Sequence, residues 1–142
     1  MGARSKARKR AVDVLFEADQ RGKSPIAVLE DRKTRGDAGA NPYTAELVIG
    51  VVEHLTRIDA LLLESSVDWS VERMPAVDRA VLRLAIYELL WSPAVPDAVA
   101  IDEAVELSKA LSTDESPGFV NGVLGRVVVL KRDLDLSESE PS

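Results

Sequence analysis

Apolar residues recur at spacings of three and four along nearly the whole chain, and the alternation that is typical of strands is almost absent. One such stripe runs through residues 4–21 and predicts a first helix. Residues 24–35 begin with Ser-Pro, an N-cap followed by a first-turn proline, and predict a short second helix. An Asn-Pro pair opens a longer stripe over residues 41–63, which predicts a third helix reaching about Leu63.

The most apolar segment is PAVDRAVLRLAIYELLW, residues 75–91, and it carries apolar side chains on two faces. We therefore expect a central helix that is buried on both sides. Glu88 falls on a buried face of this helix, so it needs a cationic or hydrogen-bonding partner. Further helices are predicted over residues 100–111, with Glu103 in the first turn, and from Ser116 to about residue 131.

The pattern thus predicts an all-α protein of six or seven helices with no sheet. The run VVVL at residues 127–130 has strand propensity, but an isolated strand would have no partner, so it is assigned to the last helix. The polar residues 131–142 are expected to form a disordered tail. A chain of 142 residues suits one compact domain with a proper core.

Positive charge is concentrated at the start of the chain. The first ten residues carry a net charge of +5, so that the remainder carries −11 within the total of −6. Cations at a helix N-terminus are repelled by the helix dipole by about 0.3–1 kcal/mol each. A polyanion would offset this cost, because each Lys or Arg that neutralises a phosphate releases counterions. The cluster therefore favours nucleic acid binding, although basic ends are also common on ordinary solvated helices.

Phe16 lies about seven residues beyond Lys9 on the same flank of the first predicted helix. An aromatic ring beside cations can stack on an unpaired base, which favours single-stranded RNA over a duplex. An aromatic residue in such a position is, however, more often part of the core. Replacing Arg8, Lys9 and Arg10 together with Ala is expected to leave folding intact and to make RNA binding less dependent on salt.

The composition excludes several classes of functional site. The chain has no Cys and one His, which removes disulfides, thiolate nucleophiles and His-rich metal clusters. No apolar run approaches the roughly 20 residues that span a bilayer, so we expect a cytoplasmic protein without a membrane partner. No cofactor is expected.

Four segments together carry a resemblance to a known family. KARKRAVDVLFEAD, VDRAVLRLAIYELL, VAIDEAVELSKAL and SPGFVNGVLGRV resemble, in the same order and at similar spacings, the NusB family of transcription antitermination factors. The resemblance covers about residues 4–130. It implies one domain over residues 1–130, formed by an N-terminal bundle at about 4–64 and a C-terminal bundle at about 70–130. It also implies a protein without catalytic activity.

The resemblance further implies binding to boxA RNA of ribosomal RNA leaders. The implied protein partners are the ribosomal small-subunit protein NusE and the RNA polymerase antitermination complex. Position by position, the implied RNA-binding residues are Arg4, Lys6, Arg8, Lys9, Arg10, Phe16, Glu115 and Phe119, and the implied partner-binding residues are Glu72 and Asp78. Some family members have Tyr where this chain has Phe16, so a hydroxyl donor is lost there. Glu115 is expected to limit RNA affinity by repelling phosphate.

Two other functions would fit parts of the sequence. A similar domain begins ribosomal RNA cytosine methyltransferases, but their catalytic domain needs a Cys nucleophile, which this chain lacks. A helical adaptor or homodimer without specific RNA binding stays open, because a basic helix end can also bind an acidic protein. A homodimer that covered the basic helix would block RNA.

Overall fold

The computed structural model describes residues 2–36, 41–67 and 69–139, the last five of these by their backbone alone. Seven helices and no strand occur within these ranges, which confirms the prediction of an all-α protein. The helices are α1 (Ala3–Arg21), α2 (Pro25–Thr34), α3 (Pro42–Glu53), α4 (Leu55–Ser65), α5 (Ala76–Trp91), α6 (Asp97–Leu111) and α7 (Ser116–Ser139). No helix in the described part is long and apolar enough to cross a membrane.

The starts of α2 and α3 follow from local side-chain chemistry. The Ser24 hydroxyl accepts a hydrogen bond from the backbone N–H of Ile26 at 3.2 Å, and the Asn41 side chain accepts one from that of Tyr43 at 2.8 Å. Each cap satisfies a donor that the first turn of a helix leaves unpaired, and the proline that follows has no such donor. The end of α1 is equally local, since Gly22 adopts the left-handed conformation at φ 63°.

The long helix predicted over residues 41–63 is divided at His54, and this prediction was wrong. His54 has φ −112° and ψ 16°, ends α3 and precedes α4, while its ring stacks on Trp91 with centroids 4.0 Å apart. A Cβ on Gly50 would overlap the ring of Tyr87, so α3 can lie this close to α5 only with glycine there. The break thus coincides with the packing of His54 against α5, a contact that the spacing of apolar residues does not reveal.

Two other helix boundaries differ from those predicted. Helix α6 begins at Asp97 rather than near residue 100, so Asp97 occupies the first turn and Glu103 lies in the second. Helix α7 continues to Ser139, past residue 131, where a disordered tail was expected to begin. Residues 140–142 lie outside the described residues.

Helix α5 is the centre of the molecule, as predicted. It contacts α1, α3, α4, α6 and α7, and its residues Leu82, Leu84 and Ile86 are at most 2% exposed. Burial of each such side chain contributes about 1.5–3 kcal/mol. One continuous hydrophobic cluster includes residues from all seven helices, and the division into two bundles stays a prediction.

Candidate nucleic-acid interface

The basic residues of α1 divide into an exposed group and a buried one. Arg4, Lys6 and Lys9 are exposed, and Arg10 is half-buried. They lie on the first two turns of α1, where no acidic residue occupies the first turn. Helical spacing places Lys6, Lys9 and Arg10 on one flank of α1, from which they can reach a polyanion, whereas Arg4 lies over the ring of Tyr43.

Arg8 points inward, which corrects the prediction that it contacts RNA phosphate. The residue is 3% exposed, and its guanidinium donates to both oxygens of Glu88, through Nε at 2.8 Å and Nη2 at 3.0 Å. Its Nη1 lies 3.6 Å from Oε1 of Glu103. Burial opposes the charge of Arg8, but the hydrogen bond and charge of Glu88, together with the charges of Tyr43 and Glu103, outweigh it and raise the pKa of Arg8. Glu88 thus has the cationic partner that its buried position requires.

Tyr43 joins this buried pair to the surface. Its hydroxyl donates to Oε2 of Glu88, and its ring lies 4.9 Å from the guanidinium carbon of Arg4 and 5.7 Å from that of Arg8. Burial, and then the hydrogen bond to Glu88, raises the pKa of Tyr43 well above its ordinary value. The Ser5 hydroxyl donates to Glu103 at 2.7 Å. The first turns of α1 are therefore held to α3, α5 and α6.

The two predicted aromatic contacts have different surroundings. Phe16 is half-buried on α1. Phe119 is half-buried on α7, packs against the core and meets Trp69 edge-on with centroids 4.6 Å apart. Part of each ring remains accessible, so each can take a stacked base only on its outer side. Glu115, just before α7, is exposed.

Asp78 lies inside the protein, which corrects the prediction that it contacts a partner. It is 0% exposed, and its Oδ2 accepts a hydrogen bond from the Ser116 hydroxyl at 2.8 Å. Its Oδ1 has no hydrogen-bond partner among the described residues. The same Ser116 hydroxyl lies 2.8 Å from that of Thr113, so Asp78 anchors the connection that carries Glu115. Glu72, the other predicted partner contact, is exposed.

The structure brings the predicted residues together in two groups. Arg8 bonds to Glu88 near the end of α5, whereas Asp19 at the end of α1 pairs with Arg79 near its start, so α1 and α5 are antiparallel. Asp78 and Glu88 are ten residues apart on α5, about 15 Å at 1.5 Å per residue. The basic end of α1 and the corner with Glu115 therefore lie at opposite ends of α5.

Sequence reasoning missed Tyr43 and assigned Glu103 only to a helix start. Tyr43 falls in an apolar stripe, and nothing in its spacing relates it to residues 45 positions away on α5. The sequence held one usable signal, the buried Glu88, which demanded a partner without naming it.

Comparisons with known proteins agree with this fold. A sequence model of the NusB family matches residues 5–129. Transcription antitermination protein NusB of Saccharopolyspora erythraea is 64% identical over 129 residues, covering 89% of this chain and 87% of the relative. The solved structure of T. maritima NusB is 33% identical with a TM-score of 0.78, over 97% of this chain and 99% of that one.

A further solved structure contains the antitermination factors NusB and NusE in complex with dsRNA. It matches with 28% identity and a TM-score of 0.77, over 89% of this chain and 96% of that one. Fold and sequence together define a transcription antitermination factor, a class of protein that is not an enzyme. The chain belongs to the NusB family.

Proposed function

We propose that this protein binds boxA-type single-stranded RNA of ribosomal RNA leader transcripts together with NusE, within an RNA polymerase antitermination complex. The observation that carries the proposal is the exposed group of cations on α1, held in place by the buried bonds of Arg8 and the partly buried bond of Ser5. Since these bonds exist without RNA, little ordering of the helix is left to be done upon binding. The solved relative with NusE and dsRNA supports both kinds of partner.

Single-stranded RNA is favoured by the aromatic rings. Phe16 lies on the same helix as the cations, and an accessible ring face is useful for an unstacked base but not for a paired one. Phosphate contacts alone would accept a duplex as well. Glu115 lies at the far end of α5 from the cations, and its charge there would weaken binding of a strand that extends along the protein.

A basic protein partner is favoured by the charge outside the first ten residues, which is −11. Ribosomal proteins are mostly basic, so the acidic remainder can steer one while α1 holds RNA. Two ligands on one rigid domain can bind cooperatively, with a coupling of typically about 1–3 kcal/mol.

The test is a titration of labelled boxA-like RNA, a scrambled strand and the corresponding duplex, each with and without NusE and over a range of salt concentrations. The variant Lys6→Gln/Lys9→Gln should make the slope of log affinity against log salt concentration shallower by about 1.4, because two phosphate contacts at about 0.7 each are lost. The matched control is Lys109→Gln/Arg132→Gln, which removes two exposed cations from α6 and α7. Equal effects of the two variants, or equal affinity for boxA-like and scrambled strands, would contradict the proposal and favour an adaptor without specific RNA binding.

A further inference from the structure

A notch between α1, α2 and α3 lies beside the basic end of α1. It has a volume of about 150 Å³ and is lined by three cations, Arg10, Arg32 and Lys33, with Val14 and Leu29 among its apolar lining. At roughly 30 Å³ of liquid volume per water, it has room for a phosphate group and several waters. The notch thus combines positive charge with a partly apolar wall, where charges interact more strongly than in open solvent.

Arg32 is held at this notch by α1. Its Nη2 donates to Oε1 of Glu17 at 2.9 Å, and the other oxygen of Glu17 accepts from Arg21 at 2.9 Å. The hydrogen bonds from Arg32 and Arg21 lower the pKa of Glu17, so this carboxylate stays charged and orients Arg32. Because one carboxylate serves two guanidinium groups, the charge of Arg32 is only partly compensated.

Lys33 has a weak partner that a phosphate can replace. Its Nζ lies 3.7 Å from Oε1 of Glu30, and the two side chains are 42% and 64% exposed. Exposed pairs of this kind contribute about 0–1 kcal/mol. A phosphate already held beside Arg32 offers Lys33 a stronger partner, since it also releases counterions.

One carboxylate, that of Asp13, also lines the notch. Burial raises the pKa of Asp13, although the charges of Arg32 and Lys9 oppose the rise. Lys9 on the exposed face of α1 and Arg32 on α2 therefore act on the same carboxylate. Among the residues that line the notch, the three cations outnumber this one carboxylate.

We propose that this notch is a second phosphate site, in which Arg32 and Lys33 bind a phosphodiester of the RNA strand whose other phosphates lie along α1. The inference rests on the proposed RNA-binding function and extends it from α1 to α2. RNA is favoured over a free anion because Arg10 lines the notch from α1 and links it to the exposed cations. This site would supply a phosphate contact in place of the one expected from Arg8, which is buried against Glu88.

The test compares Lys33→Gln with Lys109→Gln. Lys109 is a matched control, because it too lies in the last turn of its helix and pairs with a carboxylate three residues earlier, Glu106, at 3.2 Å. Binding of boxA-like RNA is measured for each protein over a range of salt concentrations. Lys33→Gln should make the slope of log affinity against log salt concentration shallower by about 0.7. The affinity of the variant relative to the wild type should therefore be about fivefold lower at 0.1 M salt than at 1 M salt. Lys109→Gln should leave slope and affinity unchanged.

A second variant should change RNA affinity in the opposite direction. Glu30→Gln removes the competitor for Lys33 and should tighten RNA binding, whereas Glu106→Gln should not. If Lys33→Gln and Lys109→Gln have equal salt slopes while the wild-type protein binds RNA, the assignment of the notch as a phosphate site is overturned. The proposal that α1 binds RNA is unaffected by that result. Failure of the wild type to bind RNA would overturn the proposed function as well. Saturable binding of inorganic phosphate alone, abolished by Lys33→Gln, would assign the notch to a free anion and overturn its assignment to RNA.

Discussion

Replacement of Arg8 by Ala should destabilise the fold, which corrects the expectation that Arg8, Lys9 and Arg10 can all be replaced with folding intact. The change leaves the carboxylate of Glu88, 1% exposed, with the Tyr43 hydroxyl but without its cation. Removing one partner of a buried ion pair costs about 3–5 kcal/mol. Relief of dipole repulsion at the start of α1 returns at most about 1 kcal/mol. We therefore expect a net loss of about 2–4 kcal/mol from a total stability of about 5–15 kcal/mol.

Urea denaturation at pH 7, followed by circular dichroism, measures this loss. With a slope of about 2 kcal/mol per molar urea, the midpoint should fall by about 1–2 M. Lys6→Ala is the control, because Lys6 is exposed on the same turn, and it should change stability by no more than about 0.5 kcal/mol. The double variant Arg8→Ala/Glu88→Gln should recover part of the loss, since no charge then remains buried without a partner.

Two results would refute this reasoning. If Arg8→Ala and Lys6→Ala shift the midpoint equally, the buried pair does not contribute to stability as its geometry requires. If the double variant is as unstable as the sum of Arg8→Ala and Glu88→Gln, the two side chains are not coupled.

Three further predictions follow from packing and protonation. Burial raises the pKa of Tyr43, so its contribution to stability is complete below pH 10.0, the ordinary pKa of tyrosine, and declines as pH rises above that value. Absorbance at 295 nm should therefore show tyrosinate forming at higher pH in folded than in unfolded protein, and coincident titrations would contradict this. Ser116→Ala should weaken RNA binding by loosening the start of α7, the helix that carries Phe119. Ser108→Ala, which removes another fully buried hydroxyl, should lower stability alone, and equal RNA affinities of the two variants would exclude such positioning. Gly50→Ala should lower folding stability by about 1–3 kcal/mol, because the added Cβ overlaps a tyrosine ring. Gly125→Ala, with open space at its Cβ, should raise folding stability by up to about 1 kcal/mol, and thermal melts that rank the two variants otherwise would refute the packing argument.

Much of the helical architecture was predictable because its causes are local. The caps at Ser24 and Asn41 satisfy donors two residues away, and the stripe of apolar residues on α5 needs only the 3.6-residue period to be recognised. The need of Glu88 for a partner was predictable too, since a charge on a buried face must be compensated wherever the partner lies. The sequence also carried the family resemblance, which the comparisons confirm.

Partners across the fold were decided by the tertiary structure alone. Arg8 and Glu88 are 80 residues apart, and Asp78 and Ser116 are 38 apart, so no period within a helix relates them. The cluster at the start of α1 looks uniform in sequence, yet the rotation of α1 against α5 buries Arg8 and leaves Lys6 and Lys9 in solvent. Helical spacing determines which residues share a face, but the packing of helices determines which faces meet and therefore which charges are available to RNA.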